Sequence, residues 1–284
     1  MTKVRNLKRP YIIPSRPQVL VNIIKLLDAE DIDIDEVVSV LRKDVSLYSA
    51  VLATANTPAF GGSGKVTSLN EALMRIGFSK MLTILRLLAL RNSFSKANNL
   101  EAFWDTATEV AQLTMSIMKK VSNKNLDDAY SLGMMHNCGI PMMIETIKEY
   151  QQFIDGIDTG LVNTWLDAEN DIFGMNHFQV GYEISKRWLM PANVSEAIIL
   201  QATDIKKLGL ESSENESVKL LLCSLLMAKD ISSIYRRFWR VGDEVQEQCK
   251  LEPVLAFVGI SETDYQDMRE TFLEGLEQPK PENA

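Results

Sequence analysis

The sequence contains few of the residues on which most enzyme active sites depend. Only two histidines, His136 and His177, occur among 284 residues, and neither has an obvious serine or cysteine partner with an acid. The cysteines Cys138, Cys223 and Cys249 are far apart and have no CxxC spacing, which predicts free thiols in a reducing compartment. A nucleophilic Cys138 beside His136 is disfavoured, because neighbours at a helix end seldom face each other.

Nucleotide-binding fingerprints and membrane-length apolar runs are also absent. Gly61-Gly62-Ser63-Gly64-Lys65 lacks the GxxxxGK[ST] spacing and follows a predicted helix, so a turn is favoured over a phosphate cradle. Arg86 and Lys219 interrupt the most apolar stretches, Met81–Leu90 and Val218–Ala228, which fall short of the roughly 20 residues that span a bilayer. Because no signal peptide is evident either, we expect a cytoplasmic protein.

The net charge of -8 argues against duplex nucleic acid as the partner, because neutralising phosphates requires a basic face. A nucleic-acid regulator that uses Arg86, Arg91 or the Arg236–Arg240 cluster stays open as an alternative. The basic residues at the N-terminus are interpreted as part of a flexible arm.

Apolar residues recur at helical spacing along nearly the whole chain, without strand alternation or internal repeats, which predicts an all-α fold. Asp33, Asp44 and Ser68 are expected to cap helices, and Gly77 to end one. A long helix is expected from Asn98 or Asn99 to about Val121. Further helices are predicted over 125–136, with Gly139 as the C-cap, and over 142–155, 159–169, 176–188, 192–202, 217–239, 243–258 and 262–275.

Several strings follow one another in a specific order over about residues 13–205. They are Ile13–Pro17, Asp44–Leu47, Ala55–Gly61, Val66–Gly77 and Phe173–Gly181, the last leading into Trp188-Leu189-Met190-Pro191. In order and spacing they resemble the HDOD domain, a bacterial signalling relative of the HD-type phosphohydrolases. The resemblance implies an N-terminal helical part joined to a degenerate HD-like bundle. Its motif residues are Asn56, Phe60, Gly77, Gly174, His177, Gly181, Trp188 and Pro191.

The domain limits expected from this resemblance divide the chain into four segments. Residues 1–12 form a flexible arm, and residues 13–205 form the HDOD-like domain. That domain is subdivided into an N-terminal helical part and the HD-like part, residues 13–95 and 96–205. Residues 215–276 form C-terminal helices that pack on the domain, and 277–284 form a disordered tail.

The resemblance also implies where an HD site would hold its metal. The first histidine would stand soon after Trp104, and the His-Asp pair would fall at His136-Asn137, where a neutral amide replaces the carboxylate. An amide oxygen supplies only a dipole where a hard cation prefers negative charge. A later histidine pair and the final aspartate would fall near Gln201 and Ser224. We therefore expect a vestigial pocket without metal, formed by Thr106, His136, Asn137, Gln201 and Ser224.

Both histidines also have purely structural interpretations. At the end of a helix, His136 can donate to the last free carbonyls, and the helix dipole would favour its positive form. His177 follows Asn176, a possible helix cap, and packing is the default interpretation of its role.

These observations predict a non-catalytic regulatory module of bacterial signal transduction without a cofactor. It would act by binding a regulatory protein or a small ligand, and two-component or cyclic-dinucleotide partners follow from the resemblance alone. No further domain is recognised in the sequence, which favours a partner supplied in trans. The alternative is a metal-dependent phosphohydrolase that holds a divalent metal with His136, Asp105 and Asp127 or Asp128.

Overall fold

The computed structural model describes residues 11–27, 32–56, 64–94, 100–159, 161–210, 212, 214–241 and 251–277. Within these residues the regular structure is helical and no strand is present, which confirms the all-α prediction. The chain forms two compact units, residues 1–98 and 99–284. No described helix is both long and apolar enough to cross a membrane.

Five helices are described in the first unit, and three of them begin at a side-chain cap. They are α1 (Gln18–Leu27), α2 (Ile34–Leu41), α3 (Val45–Ala55), α4 (Leu69–Ile76) and α5 (Phe78–Ser93). The predicted caps are confirmed, since the side chains of Asp33, Asp44 and Ser68 accept hydrogen bonds from backbone N–H groups in the first turns of α2, α3 and α4. The apolar sides of the helices meet in a core that includes Leu20, Val37, Val51, Ala72 and Leu85.

Two motif residues have structural roles in this unit. The Asn56 side chain donates to the carbonyl of Val66 (2.9 Å) and accepts from the Val66 backbone N–H (2.8 Å). Asn56 thereby fixes the end of α3 to the segment that enters α4. Gly77 separates α4 from α5 at φ 82° and ψ 161°, a conformation essentially confined to glycine. Phe60 and the glycine-rich stretch up to Ser63 lie outside the described residues.

The second unit is built around the long helix α6. Its described helices are α6 (Glu101–Val121), α7 (Leu126–Met135), α8 (Gly139–Thr146), α9 (Tyr150–Gly156), α10 (Val162–Phe173), α11 (His177–Arg187), α12 (Ala192–Leu200), α13 (Glu216–Ile231), α14 (Ser233–Phe238), α15 (Glu252–Val258) and α16 (Glu262–Glu277). α6 packs against α7, α13 and α14, while α11 packs against α8 and α12. α12 in turn contacts α7 and α13.

Three predicted boundaries in this unit are wrong. Gly139 does not cap the preceding helix but begins α8. The predicted helix 142–155 is divided at Ile147, whose backbone is extended. The predicted helix 217–239 is divided at Ser232, where the hydroxyl donates to Glu109 (2.5 Å) and accepts from the backbone N–H of Tyr235. A side chain that caps the start of the following helix in this way also marks the end of the preceding helix.

The predicted flexible ends lie almost entirely outside the described residues. Tyr11, inside the predicted arm, is buried, and Glu277, inside the predicted tail, is the last residue of α16. Of the predicted helix 243–258, the part up to residue 250 is not described, and the remainder is α15. The expected domain limits at 95 and 205 remain predictions.

Candidate functional site

His136 lies directly after α7 and is almost completely buried, at 2% exposure. Its Nδ1 atom is 2.6 Å from the carbonyl oxygen of Gly133. A carbonyl can only accept, so Nδ1 carries the proton and Nε2 of the neutral ring has a lone pair. The expected donation to a late carbonyl of the helix is therefore confirmed. Nε2 is buried and has no hydrogen-bond partner.

The expectation of a positively charged His136 is wrong. Burial lowers the pKa of His136 well below its usual value, and the nearby positive charge of Lys229 lowers this pKa further. Desolvation of the charged ring outweighs the favourable helix dipole, which acts mainly at exposed helix ends. His136 is thus a neutral hydrogen-bond acceptor at physiological pH.

A chain of hydrogen bonds connects His136 with two later helices. Gln201, at the end of α12, donates through Nε2 to the backbone carbonyl of His136 (2.9 Å) and accepts through Oε1 from Lys229 of α13 (2.6 Å). The Lys229 ammonium lies 5.5 Å from the ring centre of Tyr235 and 5.8 Å from that of Phe178. The His136 ring centre lies 5.7 Å from that of Tyr235, so imidazole and ammonium border the same aromatic ring.

Asn137 and Thr106 are also buried, but their polar atoms differ in hydrogen bonding. The Oδ1 atom of Asn137 has no hydrogen-bond partner. The hydroxyl of Thr106 donates to the carbonyl of Ala102 within α6 (2.8 Å), so it is used by its own helix. Of the two, only Asn137 therefore presents an unsatisfied acceptor.

Ser224 occupies a different part of the unit from Thr106. Its hydroxyl is directed at the sulfur of Met118 (3.8 Å), which lies twelve residues after Thr106 on α6. At 1.5 Å per residue this places Met118 about 18 Å further along the helix. The residue of α13 that reaches the His136 region is Lys229. The sequence did not single out Lys229, because this residue lies at none of the positions that the family resemblance assigns to a metal ligand.

The second histidine belongs to a buried network around Glu169, which the sequence interpretation missed. Glu169 has 0% exposure and accepts from the Nδ1 (2.8 Å) and the backbone N–H (3.0 Å) of His177. The hydroxyl of Tyr150 donates to the same carboxylate. The His177 ring stacks on Trp165 with a centroid distance of 4.4 Å. The sequence did contain a signal for this contact. Glu169 lies on α10, eight residues before His177, and its side chain can therefore reach the N-terminus of α11.

Three motif residues, Gly174, Trp188 and Pro191, lie at the ends of helices. Asn176 caps α11 through a capping box with Gln179, as the cap interpretation predicted. Gly174 ends α10 at φ 71°. After Trp188, Leu189 adopts φ 53°, and its backbone N–H and that of Met190 donate to the carbonyls of Lys186 and Ser185.

That arrangement is a Schellman ending of α11. Pro191 then precedes α12 in an extended conformation. Trp188 itself is fully buried. The segment from Trp188 to Pro191 therefore forms the turn that connects α11 with α12.

Gly181 lies at a close contact between helices. An added Cβ would lie 3.2 Å from Ile198 and 3.4 Å from the sulfur of Cys138. This glycine therefore allows α11 to approach α8 and α12 closely.

The carboxylates considered for a metal site do not surround His136. Asp105 is exposed on α6, and Asp127 and Asp128 lie in the first turn of α7, at the opposite end of that helix from His136. Eight residues of helix correspond to about 12 Å. Among the described residues, no group of three His, Cys, Asp or Glu side chains is placed to hold a metal ion.

The donors near His136 do not suit the divalent cation of the HD enzymes. The Nε2 lone pair of His136 is a possible ligand, but its neighbour Asn137 is uncharged, and the positive charge of Lys229 acts on the His136 ring. A hard cation needs anionic oxygen ligands to offset its dehydration, and a positive neighbour opposes its binding.

The arginines of the alternative nucleic-acid surface are partly used inside the fold. Arg240 donates to the backbone carbonyls of Ile154 (2.7 Å) and Asp155 (3.2 Å), and it is therefore a link between α9 and the end of α14. Arg236 also has an interaction partner. These contacts favour a structural role for the Arg236–Arg240 cluster.

The buried cysteines are expected to be unreactive in the folded protein. Burial raises the pKa of Cys138 far above its usual value and that of Cys223 to about 12, which leaves almost no thiolate. Iodoacetamide at pH 8 should modify both only after denaturation, as peptide mass spectrometry would show. Alkylation of Cys138 in native protein within minutes would contradict this prediction.

Comparison with known proteins agrees with this helical arrangement. The model of the HDOD domain matches residues 13–203, and the chain belongs to the HDOD domain family. A Treponema pallidum (strain Nichols) protein of uncharacterized function is 24% identical over 195 residues. That alignment covers 66% of this chain and 37% of the relative, so the chain corresponds to little more than a third of the relative's length.

Two solved structures share the fold at a TM-score of 0.64 and 20% identity. One is an HDOD domain protein of unknown function from Geobacter sulfurreducens, with 93% of this chain and 89% of the other covered. The second is a protein from Shewanella amazonensis SB2B whose name suggests a phosphohydrolase, with 93% and 91% covered. At this identity the likeness establishes the fold alone.

Proposed function

We propose that this HDOD protein is a non-catalytic regulatory module of bacterial signal transduction, which works by binding through its degenerate HD-type pocket. The observation that carries the proposal is the chain Lys229–Gln201–His136. Side chains at or near positions that would serve a metal in an HD enzyme are hydrogen-bonded to one another or to the backbone instead. Metal-assisted hydrolysis requires a cation that activates water and polarises phosphate.

The partner of such a module would be a regulatory protein supplied in trans or a small ligand. Family resemblance favours two-component or cyclic-dinucleotide signalling components. The buried, unsatisfied acceptors on His136 and Asn137 support a small ligand that brings N–H or O–H donors, because an unpaired buried polar group is destabilising until it finds a partner.

The absence of catalysis is tested by comparing wild-type protein with a His136→Ala variant. Both are incubated with bis(p-nitrophenyl) phosphate and p-nitrophenyl phosphate in the presence of Mn²⁺, Ni²⁺ or Mg²⁺. We expect rates equal to those of metal and buffer alone for both proteins. Metal-dependent turnover by the wild type that is lost in His136→Ala would favour the phosphohydrolase alternative.

Binding is tested with cyclic di-GMP and cyclic di-AMP in thermal denaturation, with the linear dinucleotide pGpG as the matched control. A ligand of the pocket should raise the wild-type midpoint and have a much smaller effect on Asn137→Leu, which removes an unpaired acceptor at similar volume. An equal shift in both proteins would place the ligand elsewhere. The absence of any shift would leave a protein partner as the proposed binding function.

A further inference from the structure

The carboxylate of Glu169 lies in a buried cluster of hydrogen-bond donors, outside the residues assigned to the His136 pocket. Its Oε2 atom accepts from the backbone N–H (3.0 Å) and from Nδ1 (2.8 Å) of His177. Its Oε1 atom accepts from the hydroxyl of Tyr150 and lies 3.0 Å from the same Nδ1. Both oxygens are therefore surrounded by donors, as the oxygens of a bound anion are.

The donors belong to different helices from the carboxylate. Glu169 lies on α10, whereas Tyr150 is the first residue of α9 and His177 is the first residue of α11. The backbone N–H of a first helical residue has no partner within its helix, and the helix dipole favours a negative charge there. We infer that Tyr150 and the N-terminus of α11 form an anion-binding site that the chain fills with its own carboxylate, and that this site accepts a small free carboxylate when Glu169 is removed.

The donors are held in place by aromatic packing that does not involve Glu169. The ring centre of Tyr150 lies 5.4 Å from that of Phe173 in an edge-to-face contact, and the His177 ring stacks on Trp165 at 4.4 Å. Burial is the largest cause that raises the pKa of Tyr150 well above its usual value, so its hydroxyl remains a donor at neutral pH without the carboxylate. The site should therefore persist when the side chain of Glu169 is shortened.

Glu169→Ala removes Cγ and the carboxylate group, which together match an acetate ion in size. Acetate is the probe, and the thermal midpoint followed by tryptophan fluorescence is the measurement. We expect about 100 mM acetate to raise the midpoint of Glu169→Ala by about 2–4 °C relative to the same concentration of chloride. The wild type, whose site is filled, should show no acetate-specific shift. Neither should Asp167→Ala, the matched control, which loses an exposed carboxylate from the same helix.

Two further measurements test whether the site requires a negative charge and these particular donors. Acetamide has the size of acetate but no charge, so it should shift the midpoint of Glu169→Ala much less. Tyr150→Phe, added to Glu169→Ala, removes one donor and should weaken acetate binding by about tenfold or more. If Glu169→Ala is unfolded without additives, the fraction of folded protein as a function of acetate replaces the midpoint.

An acetate effect on Glu169→Ala no larger than that of chloride or acetamide would overturn the inference, and so would an equal effect on Asp167→Ala. A wild-type midpoint for Glu169→Gln would also overturn it, because an uncharged amide of the same size would then satisfy the cluster. None of these outcomes involves the His136 pocket, so this site and the proposed binding function can fail separately.

Discussion

Gly139→Ala is expected to destabilise the second unit by about 4 kcal/mol or more, which is exceptional for the addition of one methyl group. An alanine Cβ would lie 1.9 Å from the carbonyl oxygen of His177 and 2.9 Å from the backbone nitrogen of Gly181. Both obstacles are backbone atoms of α11 and cannot rotate away. α8 and α11 would have to separate, which would open the packing around Cys138 as well.

Tryptophan fluorescence offers a selective measurement of this effect. All four tryptophans, Trp104, Trp165, Trp188 and Trp239, belong to the second unit, so their emission during urea titration reports on that unit alone. The matched control is Gly156→Ala in α9, where no atom lies within 4 Å of the added Cβ. This change should be neutral or stabilise by up to about 1 kcal/mol. Similar urea midpoints for the two variants would contradict the close contact of α8 with α11.

Glu169→Ala is expected to destabilise the same unit by about 3–5 kcal/mol. The substitution leaves the Tyr150 hydroxyl and the His177 backbone N–H without their acceptor in a site that water does not reach. Each unpaired buried donor costs about 1–3 kcal/mol, and the lost side-chain volume adds to this. The His177 ring would also lose the partner that fixes its orientation against Trp165.

Asp167→Ala is the control for this prediction, because Asp167 is an exposed carboxylate on the same helix, α10. Its free energy of unfolding should lie within about 0.5 kcal/mol of wild type. Fluorescence-detected urea titration is again suitable, since Trp165 stacks on the affected histidine. A loss below about 1 kcal/mol for Glu169→Ala would mean that the buried carboxylate is dispensable.

The sequence predicted the features that depend on neighbouring residues. The side chains of the caps Asp44, Ser68 and Asn176 each accept from a backbone N–H three residues later in the chain. The local sequence pattern is therefore enough to predict this hydrogen bond. The helical class follows in the same way from the periodicity of apolar residues. The family was recognised because its motifs include such helix ends, for example the chain reversal at Trp188 and Pro191.

The features that sequence could not predict depend on residues distant in the chain. Gly139 was interpreted as a helix end because glycine commonly has that role, but its small size is required by α11, some forty residues later. Lys229 reaches Gln201 across 28 positions, and no local pattern indicates that pairing. Ser224 was assigned to the pocket from the family resemblance alone, whereas its hydroxyl is directed at the sulfur of Met118 on α6.

The evolutionary domain and the folding unit of this protein end at different places. The family match stops at residue 203, yet Lys229 lies on α13, beyond that limit. Asp230, the next residue, accepts from the hydroxyl of Tyr265 (2.5 Å) and pairs with Arg269 (3.7 Å), both on α16. One helix thus connects the pocket on one side with the last described helix on the other. A mechanical load applied to the C-terminal segment would therefore reach His136 through the consecutive residues Asp230 and Lys229. Both residues lie outside the region that the family model matches.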